Sequence, residues 1–502
     1  MTKIVRTLVS IPWPALIATT AVAAAFLIGV KYSAFFPAGP DQSGYVSQAH
    51  RWVTRQLRTP IPEWARAGEW ANALTSAAPT GYAVDPTNTN LVPSYSPGLP
   101  VAMAIFERIG GADAVFYVVP LFGSLAVWAT YALGRQLGGR WAGAIAAVLL
   151  LCSPAFLWML IQPMSDVPAA ACWTVALLFA CRARSGADAL LSGVGTAAAI
   201  LIRPNIAPLA LFPVALLLLS SNERTKKVAA FALAAIPAGL VIAAINANWY
   251  GSPLTSGYGS LDTLYAIERI SVNARRYFGW LIHTQTPMVL LWMIAPFAIH
   301  ALDTSRRILL IAIYPPAVLA LYLPYLSFDD WAFLRFLLPA YPVVLSALAA
   351  LFVSFVEHVK PRRLAVAAVM AVTLSLVSQE LMFARDVGTF RVANGEARFA
   401  HAVDFARTLP RNSIFVSDAY SGALNFYTGH DVLRWVMIPA NNLDLALVSL
   451  ARQGHQLYFV GDGFEADRLK EQYANTDAAK RFDTGRQVIY GELFVVSNLT
   501  PP

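Results

Sequence analysis

Two acids and two arginines stand where this sequence is otherwise apolar. Asp41 lies in Gly39-Pro40-Asp41-Gln42-Ser43-Gly44-Tyr45, directly after a long apolar run, and Asp166 in Gln162-Pro163-Met164-Ser165-Asp166-Val167-Pro168, between two more. Arg203 interrupts Ile202-Arg203-Pro204-Asn205, and Arg335 leads into Phe336-Leu337-Leu338-Pro339. A carboxylate held beside a lipid-borne molecule can take a proton from an attacking hydroxyl, or ligate a divalent cation such as Mg2+ or Mn2+; Asp41 and Asp166 are the candidates for either use. An arginine at the same level can hold a phosphate through its planar fork of donors. Each residue also has a plainer use: Asp41 and Asp166 as helix N-caps, Arg203 by snorkelling, Arg335 by pairing with Asp329 or Asp330. Local sequence leaves both uses open.

A second tier of polar and aromatic residues accompanies them. Tyr45 shares a helical side with Ala49, Trp52 and Val53. The proline-rich run Tyr95-Ser96-Pro97-Gly98-Leu99-Pro100 can hold Tyr95 and Ser96 against a ligand or fix the helix that follows. The stretch 248–286 carries Tyr258, Arg275 and Arg276 among many aromatics, which suits stacking on a sugar as well as an interfacial girdle. His283 and His300 stand alone, without ligand spacing.

The elements that must position these residues are membrane spans. With 57% hydrophobic and 13% charged residues, the chain has more apolar surface than a soluble core could hide. The apolar residues fall into about eleven runs near bilayer length, at 9–30, 113–134, 141–160, 164–181, 188–202, 205–220, 228–247, 287–304, 308–325, 336–356 and 364–381. Every second gap is basic: Lys3 and Arg6, Arg135 and Arg140, Arg182 and Arg184, Arg224 to Lys227, Arg306 and Arg307, Lys360 to Arg363. Those gaps belong in the cytoplasm, so the N-terminus lies inside, and loops 31–112 and 248–286 lie outside with all four charged candidates. The net charge of +8 is then answered by anionic headgroups, and no nucleic-acid partner follows. Cys152, Cys172 and Cys181 sit in apolar sequence at spacings that match neither a redox pair nor a metal site. A helix near 97–109 is too short to cross and is expected to lie along the interface.

After residue 382 the pattern changes. Short strand-like runs at 413–417, 456–460 and 487–496 alternate with helix-like stretches near 397–408 and 441–453, which reads as a small α/β domain. The expected organisation is therefore a polytopic α-helical membrane module over 1–382 and an extracytoplasmic domain over 383–502, in the cell membrane. The tail holds no phosphate cradle, so its expected part is acceptor recognition.

In order and membrane side, these motifs resemble the GT-C class of membrane glycosyltransferases, specifically the family 39-like branch that includes protein O-mannosyltransferases and aminoarabinose transferases. The resemblance rests on Asp41 to Tyr45, Tyr95 to Pro100, Ser153-Pro154 to Pro168, Ile202 to Asn205, Asn248 to Leu254 and Arg335 to Pro339. It implies a polyprenyl-phosphate sugar as donor, an inverting-type transfer, Asp41 as catalytic carboxylate, and Arg203 and Arg335 near the lipid phosphate. Many relatives carry an Asp-Glu pair where this chain has Asp41-Gln42, which leaves Asp166 as the second acid. Glycan, glycolipid and protein acceptors all remain open. The rival class is a transporter or lipid flippase, which should place ionisable groups near the bilayer midplane; here the charges gather at one surface.

Overall fold

The computed structural model describes residues 12–36, 39–220, 222–485, 488–489 and 494–501. Apolar sequence without polar alternatives closes its own backbone hydrogen bonds as helix, and among the described residues six helices are long and apolar enough to cross a bilayer: Trp13–Tyr32, Ala112–Cys152, Arg224–Tyr250, Thr304–Tyr322, Tyr341–His358 and Arg362–Asp386. The protein is a polytopic, mostly α-helical membrane protein. Lys3, Arg6 and the start of the first expected span lie outside the described residues.

Several expected spans take less regular forms, each with a local cause. The runs at 113–134 and 141–160 meet in one bent element, Val118–Cys152, whose corner is Gly138-Gly139. Gly139 has φ +81°, which glycine adopts without strain, and Gly138 leaves room for Ala350, whose Cβ would be 2.6 Å from a Cβ there. The run at 287–304 is not one helix but a 3-10 turn, Pro287–Met293, followed by Ala295–Ala298; Pro287 and Pro296 remove two backbone donors. Pro315 and Pro316 likewise follow a π-helical turn, Ile308–Ile313, at the entry to the Tyr314–Tyr322 helix. Arg203 ends the Gly186–Ile202 helix, and a 3-10 turn, Pro204–Ala210, leads on to Leu211–Leu218.

Small residues let these helices approach closely. A Cβ on Gly193 would be 2.5 Å from the Phe231 carbonyl oxygen, and one on Gly98 would be 2.5 Å from the Leu201 carbonyl carbon. The second contact ties the Gly98–Gly110 helix to the break at Arg203. One side of that short helix exposes Val101, Ile105 and Ile109, spaced one turn apart.

At one end of the bundle two polar regions fold together. In the first loop, β1 (Thr59–Pro60), β2 (Tyr82–Val84) and β3 (Asn90–Pro93) form a small antiparallel sheet in the order β1-β3-β2. The tail carries β4 (Ser413–Val416), β5 (Asp431–Leu433), β6 (Gln456–Gly461), β7 (Val488–Ile489) and β8 (Val495–Asn498) in the order β5-β4-β6-β8-β7. Its β5-β4-β6 part is parallel and β6-β8-β7 antiparallel, with the helix Val392–Ala406 ahead of β4 and the helices Ser421–Thr428 and Leu443–Arg452 between strands. The two sheets share one hydrophobic core, in which Trp64, Trp70 and Leu91 of the loop pack with Ile414, Trp435 and Leu457 of the tail. The loop strands and this joint core had no counterpart among the sequence expectations.

Candidate functional site

The first acid is set on a helix, Pro40–Thr54, that begins at the end of a long apolar span. Gly39 is the N-cap, Pro40 supplies the pre-set φ of the first helical position, and Asp41 falls in the first turn, where a negative charge suits the helix dipole. Asp41 does not cap: its side chain turns away and accepts a hydrogen bond from Tyr95 Oη at 2.8 Å. Gly44 makes this possible, because a Cβ there would run into the Tyr95 ring. Burial and the neighbouring Asp41 carboxylate push the Tyr95 phenol well above its ordinary 10, so Tyr95 stays a donor to Asp41.

The second acid occupies the first turn of Asp166–Arg182 and is fully buried. It too does not cap. Arg203 donates to Asp166 Oδ1 at 2.7 Å, and its guanidinium also lies over the Phe336 ring at 5.0 Å. Arg335, held by the 3-10 turn Trp331–Leu337, places Nη2 3.6 Å from Asp41 Oδ2 and Nε 4.0 Å from Asp166 Oδ1. Four side chains from four separate segments thus form one charge cluster. Its exposure is graded: the Asp166 side chain is at 0%, Arg203 at 14%, Arg335 at 17% and Asp41 at 36%, so the buried members set a base and Asp41 faces outward. Asp329 and Asp330 are elsewhere: Asp329 pairs with Arg276, and Asp330 caps the 3-10 turn through Ala332 N.

The remaining sequence candidates divide. Tyr45 packs on Tyr95 with ring centroids 4.4 Å apart and donates to Ser165 Oγ at 2.9 Å, next to Asp166. Tyr258 stands edge-on to Tyr95 at 5.5 Å and is 46% exposed. Ser96 is half-buried one residue beyond Tyr95. Arg275 is exposed, and Arg276 is engaged with Asp329, so neither touches the charge cluster. His283 packs edge-on against Phe383, and His300 Nδ1 lies 3.1 Å from an Arg307 nitrogen, as ordinary helix-end contacts.

Sequence reading missed several supporting residues. Gln42 donates to Gln162 Oε1 at 2.9 Å, which bridges the two acid-bearing segments. Asn205 donates to Tyr322 Oη at 3.3 Å, and Tyr322 stacks on Phe336, the ring beneath both arginines. The only sequence signal for these was adjacency to the charged residues. As a cation site the cluster is a poor fit: its two carboxylates are interleaved with two guanidiniums, and no group of three or more His, Cys, Asp or Glu among the described residues is placed to hold a metal ion.

Residues 94–249, which carry Tyr95, Asp166 and Arg203, match the family model described as dolichyl-phosphate-mannose-protein mannosyltransferase. The solved structure of ArnT from Cupriavidus metallidurans bound to undecaprenyl phosphate superposes with a TM-score of 0.55 over 98% of this chain and 99% of that one, at 13% identity. This protein has the GT-C membrane glycosyltransferase fold. The archaeal oligosaccharyltransferase AglB from Archaeoglobus fulgidus, in complex with an inhibitory peptide and a dolichol-phosphate, is similar at a TM-score of 0.53 and 13% identity, over 96% of this chain and 74% of that one. The arabinofuranosyltransferase AftD from Mycobacteria gives 0.53 and 16% identity, over 88% of this chain but 35% of its own length. No curated protein sequence matches the chain.

Proposed function

We propose that the protein is a family 39-like, inverting glycosyltransferase that moves a sugar from a polyprenyl phosphate to a hydroxyl of a glycan, glycolipid or protein on the outer face of the cell membrane. The observation that carries this reading is Arg335: among the described residues its side chain donates no hydrogen bond, yet it lies between the half-buried Asp41 and the buried Asp166. A partly buried guanidinium with spare donors beside an outward carboxylate can receive a phosphate and leave the carboxylate free to act as a base.

The chemistry then balances as follows. The acceptor hydroxyl gives its proton to Asp41 as its oxygen bonds to the sugar's anomeric carbon from the side opposite the phosphate. The bond from that carbon to the phosphate oxygen breaks, and the polyprenyl phosphate leaves with the electron pair. Arg335, backed by Arg203, stabilises the charge that develops on it. Asp166 holds both arginines in place and stays out of the proton transfer, because it is enclosed and already bonded to Arg203. Ser96 and Tyr258 line the acceptor side, with the buried Tyr45 and Tyr95 packed behind them.

The same proposal gives the chain eleven crossings, an N-terminus in the cytoplasm, a catalytic module over 1–382 and an accessory domain over 383–502. The alternating basic gaps support that orientation. The ArnT and AglB structures carry undecaprenyl phosphate and dolichol-phosphate, which supports the donor class. The test is incubation of the protein, reconstituted in lipid, with a panel of polyprenyl-phosphate sugars beside a panel of nucleotide sugars, with products read by mass spectrometry. Transfer from a polyprenyl-phosphate sugar is expected; transfer from a nucleotide sugar without lipid phosphate would overturn the mechanism.

A further inference from the structure

The tail domain touches the Asp41 helix at one point where no side chain fits. Gly422, in the first turn of the Ser421–Thr428 helix, faces Ser43, two residues after Asp41. A Cβ on Gly422 would stand 2.5 Å from Ser43 Oγ, 2.7 Å from Thr80 Oγ1 and 2.9 Å from the Thr80 carbonyl oxygen. Gly422 is ordinary helix, so space and not backbone freedom demands glycine here.

Thr80 is pinned to the same turn from both sides. Its backbone N–H donates to Ser421 Oγ at 3.0 Å, and its Oγ1 accepts from the Gly422 N–H at 3.0 Å. The next residue, Gly81, has φ +92° and approaches the Asp41 helix backbone to backbone: a Cβ there would lie 2.6 Å from Gly44 Cα. Gly44 in turn is the seat of the Tyr95 ring, and Tyr95 bonds Asp41. Three glycines therefore make an unbroken line of close contacts from the tail domain to the acid. A Ser43 hydroxyl that also donates to the Pro40 carbonyl at 3.1 Å couples the line to the helix start.

We infer that the tail domain sets the pose of Asp41, and that Gly422 is the positioning residue through which it does so. This rests on the reading of Asp41 as the base. A methyl group at 422 meets Ser43 and Thr80 together, so it must push the first turn of the Asp41 helix away from the Ser421–Thr428 helix. Arg335 lies 3.6 Å from Asp41 without a tight bond, so it does not pull the carboxylate back.

The experiment uses full-length Gly422→Ala in lipid. Its kcat should fall about 10-fold or more while the donor KM stays within about 2-fold, because misplacement by a fraction of an ångström is felt at the reacting atoms and not at the arginines. Ser43→Ala added to Gly422→Ala removes the closest obstacle and should restore part of kcat, which a general loss of stability would not allow. Amide hydrogen exchange over residues 40–48 should rise in Gly422→Ala. If that variant does not fold, Ser421→Ala removes the acceptor of the Thr80 N–H without adding volume; it should raise the same exchange and lower kcat about 3-fold. Folded Gly422→Ala, or Ser421→Ala in its place, with wild-type kcat and unchanged exchange would overturn the inference. A wild-type protein that transfers no sugar would sink the functional reading alone, since the exchange measurement still decides whether the tail domain holds the helix.

Discussion

At the residue scale, the two acids and two arginines have similar neighbours but different exposure, and their variants should separate accordingly. Asp41→Asn keeps an oxygen for the Tyr95 hydrogen bond but cannot take a proton, so transfer should drop about 100-fold with folding nearly unchanged. Normal turnover in that variant would remove Asp41 from the chemistry. Arg335→Gln should also fold and lose transfer. Arg335→Lys should recover only part of it, since a point charge cannot engage a phosphate with a fork of donors. Arg203→Gln is expected to behave differently, because it strands the fully buried Asp166 carboxylate at a cost of about 3–5 kcal/mol, visible as low yield or an early thermal transition in detergent. An Arg203→Gln protein as stable as Arg335→Gln would contradict this division. These four residues were legible in the sequence because a charge in apolar surroundings needs a reason. The second-row residues were not: Gln42 bridges to Gln162 across 120 positions, and nothing in either local sequence announces such a partner.

At the scale of elements, legibility followed the length of the apolar signal. Spans such as Arg224–Tyr250 and Arg362–Asp386 appear near where the apolar runs lie, whereas prolines at 287, 296, 315 and 316 broke others into 3-10 and π turns. The first-loop strands are only two to four residues long, too short to carry a periodic pattern, and acquire partners only through tertiary packing. In the tail, Glu465 shows how one side chain joins elements that sequence reading leaves separate. It accepts hydrogen bonds from the Trp435 indole and from the backbone of Asp418 and Ala419, so it links the Gly463–Gln472 helix to the ends of β4 and β5. Burial raises its pKa from the ordinary 4.5 to about 7, against the pull of those donors. The folded domain therefore holds a proton there that the unfolded chain releases, so stability is greatest below about pH 4.5, falls as pH rises toward 7, and levels off above it. From this group alone the change is at most about 3 kcal/mol. Exchange protection of β4 and β6 measured between pH 5 and 8 should decline over that window, and a flat profile would show Glu465 to be ionised throughout.

At the scale of the whole molecule, the shared core of the first loop and the tail fixes a parity. Trp64, Trp70 and Leu91 pack with Ile414, Trp435 and Leu457, and the Trp64 indole donates to Asp431 Oδ2 at 2.8 Å, so both regions must lie on the same side of the bilayer. The chain between residues 112 and 386 must then cross an even number of times, and with the helix Trp13–Tyr32 before it the total is odd. Only the basic gaps say which side that is, through Lys226 and Arg363 at the opposite ends of crossing helices. The three native cysteines are buried, which permits single-cysteine labelling against a quiet background. Glu69→Cys and Asp477→Cys, at exposed positions of the loop and the tail, should both react with a membrane-impermeant maleimide from outside intact cells. Lys226→Cys and Arg363→Cys should react only after the membrane is opened. Labelling of Glu69→Cys and Asp477→Cys from opposite sides would break the shared core itself. Labelling of both only from the cytoplasm would leave the core intact but turn the site away from any acceptor outside the cell, and with it the proposed direction of transfer.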